Sequence, residues 1–411
     1  MPISTLYLCY FGLREPLVQT QVLPYLRQLC AAGIKVHLLT FEPRFRESWN
    51  AEELTKQQEQ LAMEGIAWVY LPYHKRPSVP ATLYDVVAGA RYAAKLVRRH
   101  RIDIIHARSH VPAMMGALVK RWTGARLIFD IRGFMPEEYV DAGLWPAGGR
   151  NYRALKAVER WLLSSADAFV VLTERARDIL FPGSTDADEL GRPIEVIPCC
   201  VDAKRFERAN AEAAEDLRRE LNLAGRRVIV YVGGLGGWYL TDEMAQFLAS
   251  AHRQDPDTFS LIITQSKPEM ISGTLSVLGV AEKDYLIRQV PPSDVPRYLS
   301  VGDLSLSFIK PCYSKLASSP TKIAEGLASG LPVVSNAGIG DLDAMIETDR
   351  VGIIVKDFDE IAYLRALLQV DTMRQDPSIS ARCRSTALNR FDLATVGGPR
   401  YVRLYQRLMT R

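Results

Sequence analysis

Short apolar segments of strand length alternate with amphipathic segments of helix length along most of the chain, and this alternation constrains the fold most. The strands predicted in the first half are 5–10, 35–41, 66–71, 102–106, 126–131, 167–172 and 194–198. The pattern restarts after residue 200, with predicted strands at 227–232, 259–264, 284–288, 303–308, 332–335 and 351–355. Such alternation builds parallel sheets with helices on both faces. The 411 residues therefore predict an α/β protein with two Rossmann-like, doubly wound domains that face each other across a cleft.

The restart of the pattern places the first domain at 1–200 and the second at 201–390. The segment 201–225 is rich in Ala, Glu and Arg and is interpreted as the hinge and the first helix of the second domain. Gly397 and Gly398 break the chain near its end, and apolar side chains then recur at helical spacing. We therefore predict a closing helix over 399–411 that packs back on the first domain.

Two helices of the first domain can be described in advance. The spacing predicts one helix over 17–32, and Gly33 ends it as a left-handed cap would. A second helix is predicted over 81–100. One face of this helix carries Leu83, Val87, Ala90, Ala94 and Val97.

Positive charge is concentrated in one part of the sequence. The net charge is only +4, but residues 75–126 contain eleven Lys or Arg and two acidic residues. A solvated helix face explains this run most simply. The alternative is a surface for an anionic partner, which would put the chain at the inner face of a membrane. No nucleic-acid partner is expected, because neither a recognition motif nor interleaved aromatic and basic residues are present.

The composition also bears on the compartment and on metals. The six cysteines include no Cys-x-x-Cys pair, which argues against a zinc site or a disulfide framework and favours a reducing compartment. The chain has no apolar run of membrane-spanning length, and its first residues have no basic region before the apolar segment. We therefore expect a cytoplasmic protein.

The strongest functional signal follows the strand predicted at 303–308. Ser319 is a good helix N-cap, and Pro320 suits the first helical position. The amides and the positive dipole at such a helix start favour an anion and disfavour a cation. Lys322 stands in this first turn, and an adjacent phosphate would explain a lysine there. Glu325, one turn deeper, could accept both hydroxyls of a ribose. An ordinary capped helix with a surface Lys and Glu is the weaker alternative.

A glycine-rich turn follows the first strand of the second domain. Its four glycines are Gly233, Gly234, Gly236 and Gly237, and glycine allows the close backbone approach that a phosphate cradle uses. Tyr239 stands where the dinucleotide fingerprint has its third glycine, and no Walker motif follows. A tight turn explains this stretch nearly as well as a binding site.

The segment from Pro320 to Val334, PTKIAEGLASGLPVV, resembles the donor-binding helix of retaining glycosyltransferases of family 4, which have the GT-B fold. Three further stretches resemble the same family: 18–36 its first helix, 103–106 its mid-domain strand, and 194–206 its crossing between domains. The resemblance implies a nucleotide-sugar donor on the second domain and an acceptor glycan, glycolipid or small molecule on the first. It implies transfer of a hexose with retention of the anomeric configuration, in polysaccharide, glycolipid or natural-product glycosylation.

The resemblance also implies which residues bind the donor. Lys322 would bind the diphosphate and Glu325 the ribose, while the backbone of Gln289 and Val290 would meet the base. The nucleotide is expected to be UDP or GDP, with no further cofactor. The full predicted set is Gly233, Gly234, Gly236, Gly237, Gln289, Val290, Ser318, Ser319, Thr321, Lys322 and Glu325.

Three departures from the family pattern indicate a divergent subgroup. Ala317 stands where members often have a second Glu, and Pro16-Leu17 where many have Gly-Gly. The usual Arg and Lys are missing from 233–243. We expect their charge to come instead from Lys310, Lys315 or Arg132.

Cleavage of the glycosyl–phosphate bond puts negative charge on the diphosphate, which fixed cations or a metal can stabilise. The Asp-x-Asp triplets at 186–188 and 341–343 are interpreted as ordinary acidic loops, so metal-independent transfer is predicted. Arg108, His110 and Arg132 follow first-domain strands and are the candidate catalytic residues, for steering the acceptor hydroxyl or touching phosphate. In a same-face reaction the leaving phosphate oxygen is itself the base. The alternatives are a nucleotide-sugar epimerase or hydrolase of this fold and a non-catalytic two-domain binding protein.

Overall fold

The strand–helix alternation produces two parallel sheets. The computed structural model describes residues 2–207 and 211–410. In these residues the strands are β1 (Ser4–Cys9), β2 (Lys35–Glu42), β3 (Ile66–Pro72), β4 (Ile104–Arg108), β5 (Arg126–Asp130), β6 (Ala168–Val171), β7 (Ile194–Val196), β8 (Arg227–Val232), β9 (Thr258–Ile263), β10 (Tyr285–Arg288), β11 (Leu304–Ser307), β12 (Val333–Asn336) and β13 (Gly352–Val355). Every predicted strand is present, with its ends displaced by at most two residues.

Helices connect the strands. They are α1 (Pro16–Gln21), α2 (Leu23–Ala31), α3 (Phe45–Ser48), α4 (Ala51–Met63), α5 (Ser78–His100), α6 (His110–Thr123), α7 (Met135–Asp141), α8 (Arg150–Ser165), α9 (Glu174–Leu180), α10 (Ala203–Glu207), α11 (Ala211–Glu220), α12 (Thr241–Gln254), α13 (Glu269–Val277), α14 (Val295–Leu299), α15 (Thr321–Ala328), α16 (Leu342–Asp349), α17 (Glu360–Arg374), α18 (Ile379–Phe391) and α19 (Gly398–Met409). Two 3-10 turns, Glu282–Asp284 and Tyr313–Ala317, and a π-helical turn, Leu393–Gly397, complete the regular structure. Across the described ranges, none of the helices combines the length and the apolar character needed to cross a membrane.

The strand order places a topological switch point in each sheet. The first sheet runs β3-β2-β1-β4-β5-β6-β7 and the second β10-β9-β8-β11-β12-β13, and all neighbouring pairs are parallel. In the first sheet, β2 and β3 lie on one side of β1 and β4 to β7 on the other, so the switch point lies between β1 and β4. In the second sheet, β9 and β10 lie on one side of β8 and β11 to β13 on the other, so the switch point lies between β8 and β11. Ligands of doubly wound sheets bind beyond the carboxyl ends of the strands at such points. The predicted α/β class with two doubly wound sheets is confirmed.

Each sheet belongs to its own compact unit. The first unit contains the residues up to Pro198 together with those from Gly397 onward, and the second is Cys199–Val396. Helix α19 contacts the first sheet through Tyr405, whose hydroxyl lies 3.1 Å from Thr5 Oγ1 and 2.8 Å from His106 Nδ1.

The second sheet has an apolar core on both faces because successive side chains of a strand point to opposite sides. Val228 and Val230 of β8 belong to one core, which includes Ile323 and Leu327 of α15. Ile229 and Tyr231 belong to the other core, which includes residues of α12 and α17. A Cβ on Gly326 would lie 2.9 Å from Ser305 Oγ, so glycine lets α15 pack close to β11. This packing fixes the position of the α15 N-terminus beside the ends of β8 and β11.

The prediction of one helix over 17–32 was wrong. Val22 separates α1 from α2 with φ −121° and ψ −65°. Pro24 then stands in the first turn of α2, where its missing N–H does not break a helical hydrogen bond. Gly33, with φ +81°, follows the end of α2 as expected.

The apolar face of the predicted 81–100 helix is only partly buried in α5. Leu83 is 55% and Val87 38% exposed, whereas Asp85 is buried. The Asp85 carboxylate accepts hydrogen bonds from Tyr10 Oη at 2.7 Å and from the His74 backbone N–H at 3.0 Å. These contacts turn the Asp85 side of α5 inward and leave Leu83 and Val87 at the surface.

Candidate functional site

The loops that follow β8 and β11 are held together by backbone hydrogen bonds. The Lys310 N–H donates to the Trp238 carbonyl at 2.8 Å, and the Leu240 N–H donates to the Phe308 carbonyl at 3.2 Å. The Asn336 side chain, at the end of β12, accepts from the Ile309 N–H at 2.8 Å and donates to the Ile309 carbonyl at 2.9 Å. The glycine-rich turn is therefore fixed against the segment that leads into α15.

Two features require glycine at position 233. Its φ is +147°, a conformation that side chains disfavour. A Cβ there would also lie 2.7 Å from Lys322 Nζ. Gly236 and Gly237 have φ of +71° and +61° and turn the chain back toward α12. The glycines thus allow the backbone to pass directly beside the lysine.

Lys322 is a buried cation. Only 8% of the residue is exposed, and its Nζ donates to Tyr231 Oη at 3.1 Å. The same nitrogen lies 3.7 Å from the ring centroid of Tyr239 and 4.5 Å from that of Tyr231. No carboxylate of the described residues forms an ion pair with it. Burial lowers the pKa of Lys322 to about 7, and an anion bound beside it would restore its charge.

Glu325 follows Lys322 by one helical turn. Burial raises the pKa of this carboxyl group, while Arg205 and Lys322 act in the opposite direction. Neither of its side-chain oxygens accepts a hydrogen bond from a described residue. Its carboxylate can therefore accept hydrogen bonds from ligand hydroxyl groups.

Helix α15 begins one residue later than predicted, and Ser319 is not its cap. Pro320 occupies the N-cap position, and no side chain caps the helix. The Ser319 Oγ instead accepts a hydrogen bond from the Cys199 N–H at 3.0 Å. The amides of Thr321 and Lys322 lie in the first turn, where no preceding helical carbonyl can pair with them. An anion is a suitable acceptor for such amides.

A second lysine packs on the glycine-rich turn. Lys315 is 7% exposed, and its Nζ lies 3.9 Å from the ring centroid of Trp238. Two neighbouring aromatic residues of one turn, Trp238 and Tyr239, therefore each contact a buried lysine. Sequence reasoning missed these aromatic contacts, because the partners are about 80 residues apart.

Two further predicted donor residues lie in the segment after the edge strand of the second sheet. Gln289 and Val290 follow β10, and the Val290 carbonyl accepts from Gln265 Nε2 at 2.7 Å. Gln289 donates weakly to the Gln265 carbonyl at 3.4 Å. The contacts among the described residues bring Gly233, Tyr231 and Tyr239 to Lys322; none joins Gln289 or Val290 to that group.

A cavity of about 280 Å³ lies at the switch point of the first sheet. Residues after β1 and β4 line it, among them Arg108 and Ser109. Ser109 has φ +69°, a strained value for a residue other than glycine. The cavity is therefore placed where ligands of this fold class bind.

A buried polar cluster lies next to this cavity. Asp130 accepts from Tyr401 Oη at 3.1 Å and from Arg132 Nη1 at 3.4 Å. Burial alone would raise the pKa of Asp130, but Arg132 and the His106 hydrogen bond keep it well below its usual value. Burial lowers the pKa of His106, so this imidazole is neutral and bridges Asp130 and Tyr405 as a core histidine.

Parts of the chain are similar in sequence to known glycosyltransferases. Residues 18–205 match the family model described as Glycosyltransferase Family 4. The chain is 27% identical over 270 residues to 2-deoxystreptamine glucosyltransferase from Streptomyces kanamyceticus, a match covering 62% of this chain and 65% of that protein. It is 24% identical over 311 residues to D-inositol 3-phosphate glycosyltransferase from Salinispora tropica, covering 71% and 61%. The matches thus span less than two thirds of these relatives.

Solved structures resemble the whole chain. A glycosyltransferase from Rickettsia africae aligns over 100% of this chain and 99% of its own, with a TM-score of 0.72 and 15% identity. HepE from Anabaena, solved with UDP and glucose, aligns over 100% of both chains with a TM-score of 0.69 and 15% identity. The chain is thus similar to glycosyltransferase family 4 over residues 18–205 and has the GT-B fold. The resemblance to family 4 stated from the sequence is thereby confirmed.

Two of the three catalytic candidates in this family 4-like chain do not line the first-unit cavity. Arg108 lines it, but His110 and Arg132 are not among the described residues that do. His110 is 1% exposed, and its Nε2 lies 3.3 Å from Glu159 Oε2. Arg132 contacts Asp130 in the buried cluster. Catalytic roles for these residues stay predictions, and the geometry favours Arg108 for contact with a ligand.

Acidic residues of both Asp-x-Asp triplets of this family 4-like chain have partners among the described residues. Asp188 pairs with Arg192 at 2.7 Å, and Asp186 with Arg407 at 3.2 Å. Asp343 accepts from the Gly338 N–H at 3.1 Å. No cluster of three or more metal-ligating side chains occurs within the described part of the chain.

Proposed function

We propose that this protein transfers a hexose from a nucleotide-sugar donor to an acceptor hydroxyl with retention of the anomeric configuration and without a metal ion. The observation that carries the proposal is the buried Lys322, which two tyrosine rings contact and which forms no ion pair with a carboxylate of the described residues. Glu325, one helical turn away, favours the charged form of Lys322 without forming an ion pair with it. A buried cation without a direct partner is costly, and the diphosphate of a donor would supply that partner. The names of the family 4-like relatives, a glucosyltransferase and a glycosyltransferase, support the same reaction class.

Different residues at the second switch point would bind different parts of the donor. Lys322 and the first amides of α15 would bind the diphosphate, Glu325 the ribose hydroxyls, and the glycine-rich turn the phosphates and sugar. In the transfer, the bond from the anomeric carbon to the phosphate oxygen breaks and a bond to the acceptor oxygen forms. The acceptor proton passes to the departing phosphate oxygen. Stabilising the charge of that diphosphate is the main task of the fixed cations.

An assay of donor consumption tests this function. UDP- and GDP-linked hexoses are incubated with the protein, with and without a mixture of sugar and polyol acceptors, and NMR reads the anomeric configuration of the product. We expect transfer only with acceptor, and a loss of at least tenfold in Glu325→Gln but not in Glu347→Gln, an exposed position on α16. Donor consumption without any acceptor would favour the epimerase or hydrolase alternative. Nucleotide binding without turnover would favour a binding protein.

We also propose that the protein acts in the cytoplasm, where its six cysteines remain free thiols, and that α5 contacts anionic membrane. Four exposed apolar residues cluster on this helix: Val79, Leu83, Tyr84 and Val87. Arg91 and Lys95 continue the four-residue spacing of Leu83 and Val87 and are exposed. An apolar stripe continued by cations suits an anionic bilayer surface.

Vesicle co-sedimentation tests the membrane contact. Phosphatidylglycerol vesicles should retain the protein, and phosphatidylcholine vesicles should not. Leu83→Asp should abolish retention, whereas Met63→Asp, at an 83% exposed apolar position of α4, should not. Equal binding by both vesicles, or by both variants, would refute the contact.

A further inference from the structure

The cavity of the first unit has an aromatic lining. Its lining residues include Tyr10, Phe11, Phe41 and Tyr73. Its volume of about 280 Å³ lies just below the range of about 300–1,000 Å³ for small-molecule pockets. Such a cavity accommodates a ligand of about one ring, and aromatic faces pack well against the C–H face of a sugar or cyclitol.

Arg108 brings positive charge to this cavity. Its side chain is 5% exposed, and no described residue accepts a hydrogen bond from its guanidinium group. Its closest ion-pair contact, to Asp130 Oδ2, is 3.9 Å long, which exceeds hydrogen-bond distance. That carboxylate is already bonded to Tyr401, His106 and Arg132. A nearly buried guanidinium with all its donors available is unusual and indicates an absent acceptor.

The charged groups near the cavity leave Arg108 as the group that can bind an anion. The cavity is lined by two charged residues of the described chain, Arg108 and Glu15, and Glu15 is exposed and therefore screened by solvent. Glu42, between the lining residues Phe41 and Pro43, is buried, but its carboxylate already accepts hydrogen bonds from the Leu13 N–H, the Thr40 hydroxyl and the Trp49 indole. The guanidinium of Arg108 therefore favours an anion in the cavity.

We propose that this cavity binds a single polyol ring that carries an oxyanion, with the oxyanion on Arg108 and the ring against Tyr10 and Tyr73. The oxyanion is a phosphate monoester or a carboxylate, because both match the planar donors of a guanidinium. The inference rests on the proposed function in one respect: in that reaction this ligand is the acceptor. The inference therefore identifies the acceptor as an acidic sugar or cyclitol.

Calorimetric titration with three hexoses of one ring type tests the proposal: glucose 6-phosphate, glucuronate and glucose. We expect at least one of the two anions to bind ten times or more tighter than glucose. Arg108→Gln should remove this preference, whereas Arg365→Gln, an exposed position on α17, should retain it. The comparison of the two anions identifies whether phosphate or carboxylate is preferred.

Glu15→Gln keeps the proposal falsifiable if Arg108→Gln fails to fold. Because Glu15 is exposed on the rim, its replacement should leave the fold intact and tighten anion binding two- to threefold. Equal affinity for all three hexoses, or an anion preference that persists in Arg108→Gln, would overturn the proposal. So would a preference that is lost in Lys322→Met, since the anion would then occupy the second unit.

These titrations contain no donor, so their outcome is independent of catalysis. If the protein transfers sugar but prefers neutral glucose, the acidic-acceptor inference fails and the proposed function stands. If the anions bind through Arg108 but no transfer occurs with any donor, the proposed function fails and the binding site stands.

Discussion

Replacing Lys322 with Met should make the protein more stable while it weakens nucleotide binding. Methionine keeps the length of the side chain and removes the charge that α15 and the glycine-rich turn bury. A residue retained for packing would show the opposite behaviour, since its loss would destabilise the fold. The paired result therefore separates a binding role from a structural one.

The size of the stability gain follows from the pKa. Burial lowers the pKa of Lys322 from 10.5 to about 7, and each tenfold change in an acid dissociation constant is worth about 1.4 kcal/mol. Burying the charged form therefore costs roughly 5 kcal/mol at most. The ring of Tyr239, 3.7 Å from Nζ, returns about 1–2 kcal/mol through the cation–π contact. We expect Lys322→Met to raise the free energy of unfolding by about 3 kcal/mol at pH 6.

The same pKa shift determines how the stability difference between the two proteins changes with pH. Because the folded-state pKa of Lys322 is depressed, the unfolded chain binds more protons between pH 7 and about 10. The destabilisation is complete below pH 7 and disappears as the pH rises through this window. The advantage of Lys322→Met should therefore shrink between pH 7 and pH 10.

Urea unfolding at pH 6 and pH 9.5, with calorimetric titration of UDP and GDP at pH 7.5, measures both effects. Loss of one charge-assisted hydrogen bond, worth about 1.5–3 kcal/mol, should weaken the preferred nucleotide by 10- to 100-fold. Lys56→Met, at an exposed lysine of α4, is the matched control and should change neither quantity. A Lys322→Met protein with unchanged or lower stability at pH 6 and wild-type nucleotide affinity would refute this reasoning.

Three further predictions concern neighbouring groups. Tyr239→Leu should weaken nucleotide binding about threefold through loss of the ring over Lys322, and Tyr239→Phe should not; equal effects in calorimetry would contradict the cation–π contact. Tyr405→Phe should lower the free energy of unfolding in urea by about 1–3 kcal/mol, because His106 Nδ1, 2.8 Å from the hydroxyl, loses its partner; an unchanged value would mean that the bond contributes nothing. Hexose transfer should continue in EDTA, and activity that disappears and returns with manganese would overturn the metal-independent mechanism.

The sheets could be predicted from the sequence because the evidence for a buried parallel strand is local. β8 has its predicted limits, Arg227–Val232, because a short apolar run ends at a glycine. The helix faces were less predictable. Leu83 and Val87 belong to the apolar stripe of α5 by spacing, yet Asp85 is buried instead because Tyr10, 75 residues earlier in the chain, bonds to it.

The candidate site was likewise predictable where the evidence in the sequence is local, and not where it depends on contacts between distant residues. Lys322 and Glu325 were predicted because a cation and a carboxylate near a helix start conflict with ordinary local preferences. Tyr231 and Tyr239 were missed, since their contact with Lys322 is formed only when α15 packs beside β8. Ser319 has the side chain of an N-cap, but the Cys199 N–H, 120 residues earlier in sequence, binds its hydroxyl.

The central claim is that the N-terminus of α15 and Lys322 bind the diphosphate of a nucleotide sugar. A crystal structure of the protein with UDP or GDP tests it most directly. The account predicts diphosphate oxygens at hydrogen-bond distance, about 3 Å, from Lys322 Nζ and from the first amides of α15, with the ribose hydroxyls on Glu325. Nucleotide bound elsewhere on the protein, or no bound nucleotide at saturating concentration, would contradict it.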